Sequence, residues 1–165
     1  MVACRAVDAS FFTQAPQRLV FEAVLAASAA EVFALLEDGA AWPVWFAEIQ
    51  EVTWRTPKPF RVGTRRTVRL TTMTVEETFF IWEPGRRFAF YFHEQSRRLT
   101  RAFAEDYQLT DLPDGHCRLL WQVCYEPAFP YTLVKPLLRA AFRKMFTRAA
   151  HDLAAYVAAR SATKA

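Results

Sequence analysis

Residues 99–125 read LTRAFAEDYQLTDLPDGHCRLLWQVCY, and this stretch decides the fold. Pro113 and Gly115 supply turn chemistry between two runs rich in aromatic and apolar side chains, a pattern that predicts an antiparallel hairpin. Side chains alternate between the two faces of a strand. One face of the second strand therefore carries four large apolar residues, Leu119, Trp121, Val123 and Tyr125. That face is predicted to point inward.

The first strand of the hairpin carries one acid on its apolar face. Alternation puts Glu105 in phase with Phe103, Tyr107 and Leu109. A carboxylate in apolar surroundings costs several kcal/mol unless it is paired, so we expect a raised pKa or contact with a polar group of a ligand. The alternatives without a ligand are a bulge that turns the acid outward, or an ion pair with Arg66, Arg101 or Arg118.

Outward from the hairpin, turn residues separate further runs of the same kind. Seven strands are predicted in all, at residues 18–26, 49–55, 64–71, 74–82, 87–94, 99–109 and 117–125. Ser28 and Glu31 have the spacing of a capping box, which predicts a helix over residues 29–37. Pro43 suits the first turn of a second short helix within residues 41–48. Apolar residues at steps of three and four predict a long closing helix over residues 134–157.

This order predicts an α+β domain in which a curved seven-stranded antiparallel sheet surrounds a long C-terminal helix. Two short helices follow the first strand. We expect the domain to span residues 17–160, after a flexible N-terminal extension of residues 1–16 and before a C-terminal tail of residues 161–165. A curved sheet and a long helix rarely close tightly everywhere, so a gap between them is a natural ligand cavity.

Composition narrows the function. The chain has 165 residues with a net charge of +4 and only four glycines, which argues against nucleic-acid binding and glycine-rich phosphate loops. Fifteen Phe, five Trp and five Tyr exceed what a core of this size needs, and a cavity would explain the surplus. The motif spacings typical of metal, thiol-redox, serine-hydrolase and nucleotide sites are missing. No metal site and no cofactor are expected.

The sequence also bears on location. No signal peptide and no uncharged run of the roughly 20 residues that cross a membrane are found. We expect a cytoplasmic protein, without stable membrane insertion, that is a monomer or a homodimer. Cys117 and Cys124 lie too far apart on one predicted strand to form a disulfide. Together with Cys4 they are expected to be free thiols in a reducing compartment.

The chain resembles the START-like, or SRPBCC, superfamily, which includes polyketide cyclase/dehydrase-like proteins and the Bet v 1-like helix-grip fold. Four segments carry the resemblance, namely SAAEVF at 28–33, WPVW at 42–45, WEPGRRF at 82–88 and LTDLPDGHCR at 109–118. It covers roughly residues 17–160. It implies a deep pocket for lipids, isoprenoids, polyketides or other apolar molecules, and it transfers no catalytic motif.

The predicted cavity positions come from the apolar strand faces and the closing helix. Eleven residues are proposed to bind the ligand, namely Trp45, Glu77, Phe79, Phe90, Phe103, Glu105, Tyr107, Trp121, Leu138, Phe142 and Met145. Any of the aromatic residues could instead be ordinary core, and a slip of one residue would replace Glu77 by Glu76. The hydroxyl of Tyr107 could orient a ligand, or it could donate to Glu105 or to the backbone.

Three functions remain open. The first is binding or transport of a hydrophobic small molecule without catalysis. The second is a cyclase-like or dehydratase-like enzyme in which Glu105 or Tyr107 moves a proton. The third is a protein- or membrane-interaction module that uses the basic side of the closing helix. That side carries five cationic residues, Lys135, Arg139, Arg143, Lys144 and Arg148, although a solvated surface would also explain them.

Overall fold

A computed structural model describes residues 1–164, with the backbone alone at Lys164. The strands in this part of the chain are Val2–Ala3 (β1), Gln17–Leu25 (β2), Ile49–Trp54 (β3), Arg65–Leu70 (β4), Thr74–Glu83 (β5), Arg87–Gln95 (β6), Thr100–Asp111 (β7) and Cys117–Pro127 (β8). The α-helices are Phe11–Gln14 (α1), Ala29–Glu37 (α2), Trp42–Trp45 (α3) and Lys135–Lys164 (α4). Short 3-10 turns occupy Gly39–Ala41 and Tyr131–Val134.

The long strands form one antiparallel sheet in the order β2-β8-β7-β6-β5-β4-β3. Every neighbour pair from β3 to β8 is consecutive in the chain, as the short turns between the strands predict. β2 pairs with β8, which brings the beginning and the end of the sheet together. With the 30-residue α4 packed on its apolar face, the sheet confirms the predicted α+β helix-grip fold.

The inner face of the sheet follows the predicted alternation. In β8, Leu119, Trp121, Val123 and Tyr125 are all buried. The register of β7 and β8 sets Tyr107 opposite Trp121, so the two rings pack across the strands with their centroids 4.7 Å apart. Cys4, Cys117 and Cys124 are free, as expected.

The helix predicted over residues 29–37 is confirmed residue for residue. The hydroxyl of Ser28 accepts a hydrogen bond from the amide of Glu31, and the Glu31 carboxylate accepts one from the amide of Ser28. This reciprocal cap satisfies two amides that would otherwise lack partners at the helix start. The short helix predicted within residues 41–48 is α3, and the 3-10 turn at Gly39–Ala41 precedes it.

The N-terminal segment, expected to be a flexible extension, packs onto the sheet. β1 adds to the end of β6, where Val2 lies opposite Gln95. In α1, Phe11 and Phe12 are buried against the outer face of the sheet, beside Ala104 and Cys124. No periodic pattern announces so short a helix, because only two of its residues are buried.

At the other end, α4 extends beyond its predicted limit of residue 157 and includes most of the predicted tail. Ser161 donates a hydrogen bond to the carbonyl oxygen of Ala26 at 2.6 Å. This contact fixes the last turns of α4 to the segment that follows β2. Ala165 lies outside the described residues.

Candidate functional site

A cavity of about 200 Å³ lies between the inner face of the sheet and α4. Its walls come from β3 to β7, from Trp42 of α3 and the segment after it, and from Phe142, Met145 and Phe146 of α4. Thr71 and Thr72 also line it and are exposed, so the cavity reaches the surface at the β4–β5 turn. Sites for drug-sized ligands typically measure about 300–1,000 Å³. This cavity therefore suits a smaller molecule, such as a ring system or a short acyl chain.

A buried ion pair forms one wall. Arg66 of β4 and Glu77 of β5 are direct cross-strand partners, and Nε of Arg66 donates to Oε2 of Glu77 at 2.5 Å. Their side chains are only 2% and 5% exposed. Removing one partner from such a pair typically costs about 3–5 kcal/mol, because the other charge is left buried and alone. The pair is therefore a fixed feature of the cavity.

Aromatic rings enclose the guanidinium of Arg66. Its central carbon lies 4.3 Å from the ring centroid of Trp42 and 4.8 Å from that of Phe90. Such contacts stabilise a desolvated cation by about 2 kcal/mol or more. One donor is still unsatisfied, because Nη1 is buried and has no hydrogen-bond partner among the described residues. A buried donor without an acceptor costs about 1–3 kcal/mol, so an acceptor supplied by a ligand would be stabilising.

Glu105 of β7 is the second buried acid. Its Oε2 accepts hydrogen bonds from the Tyr107 hydroxyl and from Nε1 of Trp121, each at 2.9 Å. Burial, helped by the charge of Glu77, raises the pKa of Glu105 to about 8, although the two donors and Arg66 act in the opposite direction. At pH 7 the side chain is therefore mostly a neutral carboxylic acid that can donate a proton.

The other two titratable groups of the cavity respond to the same surroundings. Burial raises the pKa of Glu77, and the charge of Arg66 offsets part of this effect. Burial also raises the pKa of Tyr107 well above its ordinary value, and the neighbouring Glu105 adds to the shift. Tyr107 therefore remains a hydrogen-bond donor. The cavity combines one fixed cation, its paired carboxylate and one protonated acid in an apolar shell.

Seven of the eleven predicted site residues line the cavity. They are Glu77, Phe90, Phe103, Glu105, Tyr107, Phe142 and Met145. A β-bulge lies at Glu77, where the paired residue on β6 changes from Glu94 to Phe92. Glu77 nevertheless faces inward, whereas Glu76 is only partly buried and accepts a hydrogen bond from Thr67. The alternative in which Glu76 replaces Glu77 is therefore wrong.

The other four lie outside the cavity wall. Trp45 and Phe79 are core residues packed against other rings. Trp121 lies behind the wall and acts on the cavity through its hydrogen bond to Glu105. Leu138 is partly buried against the core. Alternation gives the face on which a residue lies, but it does not distinguish the cavity wall from the packed core beside it.

Two important wall residues were absent from the predicted set. The sequence suggests Arg66 only as a possible partner of Glu105, yet its pairing with Glu77 places it in the cavity. Arg66 lies two residues before Val68 and therefore on the same face of the strand. Because Val68 is buried, this alternation indicates that Arg66 faces inward. Trp42 is not predictable as a wall residue, because α3 is too short for its periodicity to identify the buried face.

Comparison with known proteins assigns the family. Residues 16–158 match the sequence model of the family described as polyketide cyclase / dehydrase and lipid transport. The chain belongs to this family. A curated relative, an uncharacterized protein of Mycobacterium tuberculosis, is 41% identical over 149 residues, which is 87% of this chain and 89% of that protein. A protein from Mycobacterium bovis, also uncharacterized, matches to the same extent.

Solved structures confirm the START-like fold of this family member. A START superfamily protein from Mycobacterium smegmatis aligns with a TM-score of 0.73 at 12% identity, over 85% of this chain and 96% of that one. The Zhui aromatase/cyclase from a Streptomyces species aligns with a TM-score of 0.75 at 11% identity, over 88% and 95% of the two chains. At these identities the likeness concerns the fold alone.

Proposed function

We propose that this protein binds one small hydrophobic molecule in the cavity between the sheet and α4. The ligand's apolar body packs against the aromatic wall, and an acceptor oxygen at one end meets Arg66. Carbonyl, carboxylate and enolate oxygens all have the required chemistry. Fatty acids, oxygenated isoprenoids and polyketide-like compounds all offer such an oxygen.

One observation carries the proposal: on the wall of a mainly apolar cavity, Nη1 of Arg66 is buried and has no acceptor among residues 1–164. Ligand sites commonly have this composition, an apolar lining with a few polar groups that fix orientation. The neutral form of Glu105 adds a second donor. A ligand oxygen between the two residues would receive hydrogen bonds from both.

A matched pair of probes tests the binding mode. 2-Acetylnaphthalene and 2-ethylnaphthalene have similar shape and no charge, but only the first carries a carbonyl oxygen. A hydrogen bond to a charged donor contributes about 1.5–3 kcal/mol, so the ketone should bind at least about tenfold more tightly by calorimetry. Equal affinities would remove Arg66 from the proposed site. Failure of both probes and of a broad lipid screen would reject the binding function.

A catalytic role is the second candidate, because Glu105 has a pKa of about 8. General acids and bases work best when their pKa lies near the working pH. Glu105 could protonate a carbonyl or hydroxyl oxygen of the ligand during a cyclisation or dehydration. The change Glu105→Gln should then abolish turnover and preserve ligand affinity. Full turnover in that variant would assign the cavity to binding alone.

Location is part of the proposal. The three cysteines are free thiols and two of them are buried, which supports a cytoplasmic protein because reducing compartments keep thiols free. Within residues 1–164, no helix is long and apolar enough to cross a membrane.

A further inference from the structure

Beside the cavity, the segment that enters α4 exposes several apolar side chains. Phe129, Leu133 and Leu137 are 69%, 74% and 71% exposed, and Val134 is 41% exposed. Most large exposed apolar residues elsewhere in the described chain are single, but these four fall within nine residues. A cluster of this kind marks an interaction site more often than ordinary surface. We call residues 129–137 the entry segment.

The stretch of chain from the entry segment into α4 carries charge of only one sign. Between Glu126 and Asp152 the chain contains no acidic residue but five cationic ones, Lys135, Arg139, Arg143, Lys144 and Arg148. Arg139 is bound to Gln17 and Arg148 to Asp152. Lys135, Arg143 and Lys144 are exposed and form no ion pair within the described part of the chain. These three cations are available to an external anion.

The same surface extends to the β6–β7 loop at the edge of the cavity. The amide of Ala128, next to Phe129, donates a hydrogen bond to the carbonyl oxygen of Leu99 at 3.0 Å. Leu99 lines the cavity, and the adjacent Arg97 and Arg98 are exposed. Arg97 reaches the carbonyl oxygen of Thr72, another lining residue, at 3.5 Å. The entry segment is therefore continuous with the part of the surface at which the cavity opens.

From this arrangement we propose that the entry segment and the cations beside it dock reversibly on an anionic lipid surface. Apolar side chains would enter the headgroup region while Lys135, Arg143 and Lys144 contact lipid phosphates. A second copy of the chain is disfavoured as the occupant, because a two-fold contact would bring like charges together. Docking in this orientation turns the cavity opening toward the bilayer, so an apolar ligand could pass between membrane and protein.

Vesicle binding tests the docking directly. The full chain is mixed with phosphatidylcholine vesicles that contain 30% phosphatidylglycerol or none, and bound protein is measured by co-sedimentation. The wild-type chain should prefer the anionic vesicles by at least about tenfold, and salt should weaken its binding. Equal binding to both vesicle types, or binding that salt leaves unchanged, overturns the proposal.

Matched variants locate the surface. Lys135→Gln, Arg143→Gln and Lys144→Gln together should weaken binding to anionic vesicles by at least about tenfold. The control replaces three other exposed cations by Gln and removes the same net charge. They are Arg61, Arg65 and Arg86, which form no ion pair among residues 1–164. The control should lose less than about threefold, since these residues lie outside the proposed surface. Equal losses in the two triple variants overturn the assignment.

A second pair of variants tests the apolar contribution. Leu133→Asn with Leu137→Asn should weaken vesicle binding, whereas Val24→Asn with Val62→Asn, at positions 57% and 60% exposed, should not. All four positions are exposed, so thermal unfolding should stay close to wild type. The Leu pair should still bind 2-acetylnaphthalene, which separates docking from cavity binding. Self-association that the Leu pair abolishes, without any vesicle binding, would assign the surface to a second copy and overturn the proposal.

Discussion

Glu105 allows the electrostatics of the cavity to be tested without knowledge of the ligand. The change Glu105→Gln keeps an oxygen that can accept the hydrogen bonds from Tyr107 and Trp121, so the packing should survive. It removes the ionisation. In the folded protein the pKa of Glu105 is raised from 4.5 to about 8, and the folded state therefore holds a proton that the unfolded chain releases.

The difference between the pKa values of Glu105 in the folded and unfolded states sets the sign and the size of the effect on stability. Well below pH 4.5, Glu105 is protonated in both the folded and the unfolded state, so its ionisation does not change the free energy of unfolding. As the pH rises, the unfolded chain gains stability by ionising, so the free energy of unfolding falls by about 1.4 kcal/mol per pH unit. The fall ends near the folded pKa. Between about pH 5 and pH 7.5 the wild-type protein should lose on the order of 3 kcal/mol relative to Glu105→Gln.

Urea unfolding at several pH values measures the effect. The quantity to compare is the difference in free energy of unfolding between variant and wild type, because this comparison cancels most of the other titrating groups. The exposed Glu83→Gln serves as the control for the loss of one acidic side chain. A difference for Glu105→Gln that is independent of pH would refute the raised pKa and, with it, the protonated acid in the cavity.

Other predictions concern neighbouring interactions. Tyr107→Phe removes one hydrogen-bond donor to Glu105, so the pKa of Glu105 should rise further. Infrared titration of the carbonyl stretch measures this pKa, and an unchanged or lower value would contradict the hydrogen bond. Arg66→Met should lower the free energy of unfolding, measured in urea, by about 3–5 kcal/mol. Adding Glu77→Gln should restore part of this loss. Strictly additive losses in the double variant would contradict the ion pair. Ser28→Ala should lower the free energy of unfolding by about 1 kcal/mol, because the helix cap is lost, and it should leave the affinity for 2-acetylnaphthalene unchanged. If the binding free energy of the probe fell by the same amount, the cap would also shape the cavity.

Most of the fold was predictable from the sequence, because its signals are local and repeated. Turn residues divide the strands, and the Ser28–Glu31 cap marks the start of α2. The N-terminal segment was not predictable in the same way. Val2–Ala3 and Phe11–Gln14 are too short to show a period, and their stability comes from contacts with distant parts of the sheet.

The sequence predicts the strand face on which each site residue lies, but it does not predict which of these residues line the cavity. Alternation predicts that Glu105 and Tyr107 face inward, and the structure adds that the Tyr107 hydroxyl donates a hydrogen bond to the carboxyl group of Glu105. The cluster centred on Arg66 depends on strand register, which pairs it with Glu77 across two strands. The sequence of one strand does not contain that register, so the most informative polar group of the cavity emerged only with the three-dimensional structure.

The most direct test of the central claim is a crystal structure of the protein with 2-acetylnaphthalene. We predict density for the naphthalene rings in the cavity lined by Phe90, Phe103 and Phe142, with the ketone oxygen within about 3.2 Å of Nη1 of Arg66. A cavity without the probe at saturating concentration would contradict binding, and a probe with its oxygen turned away from Arg66 would contradict the proposed recognition.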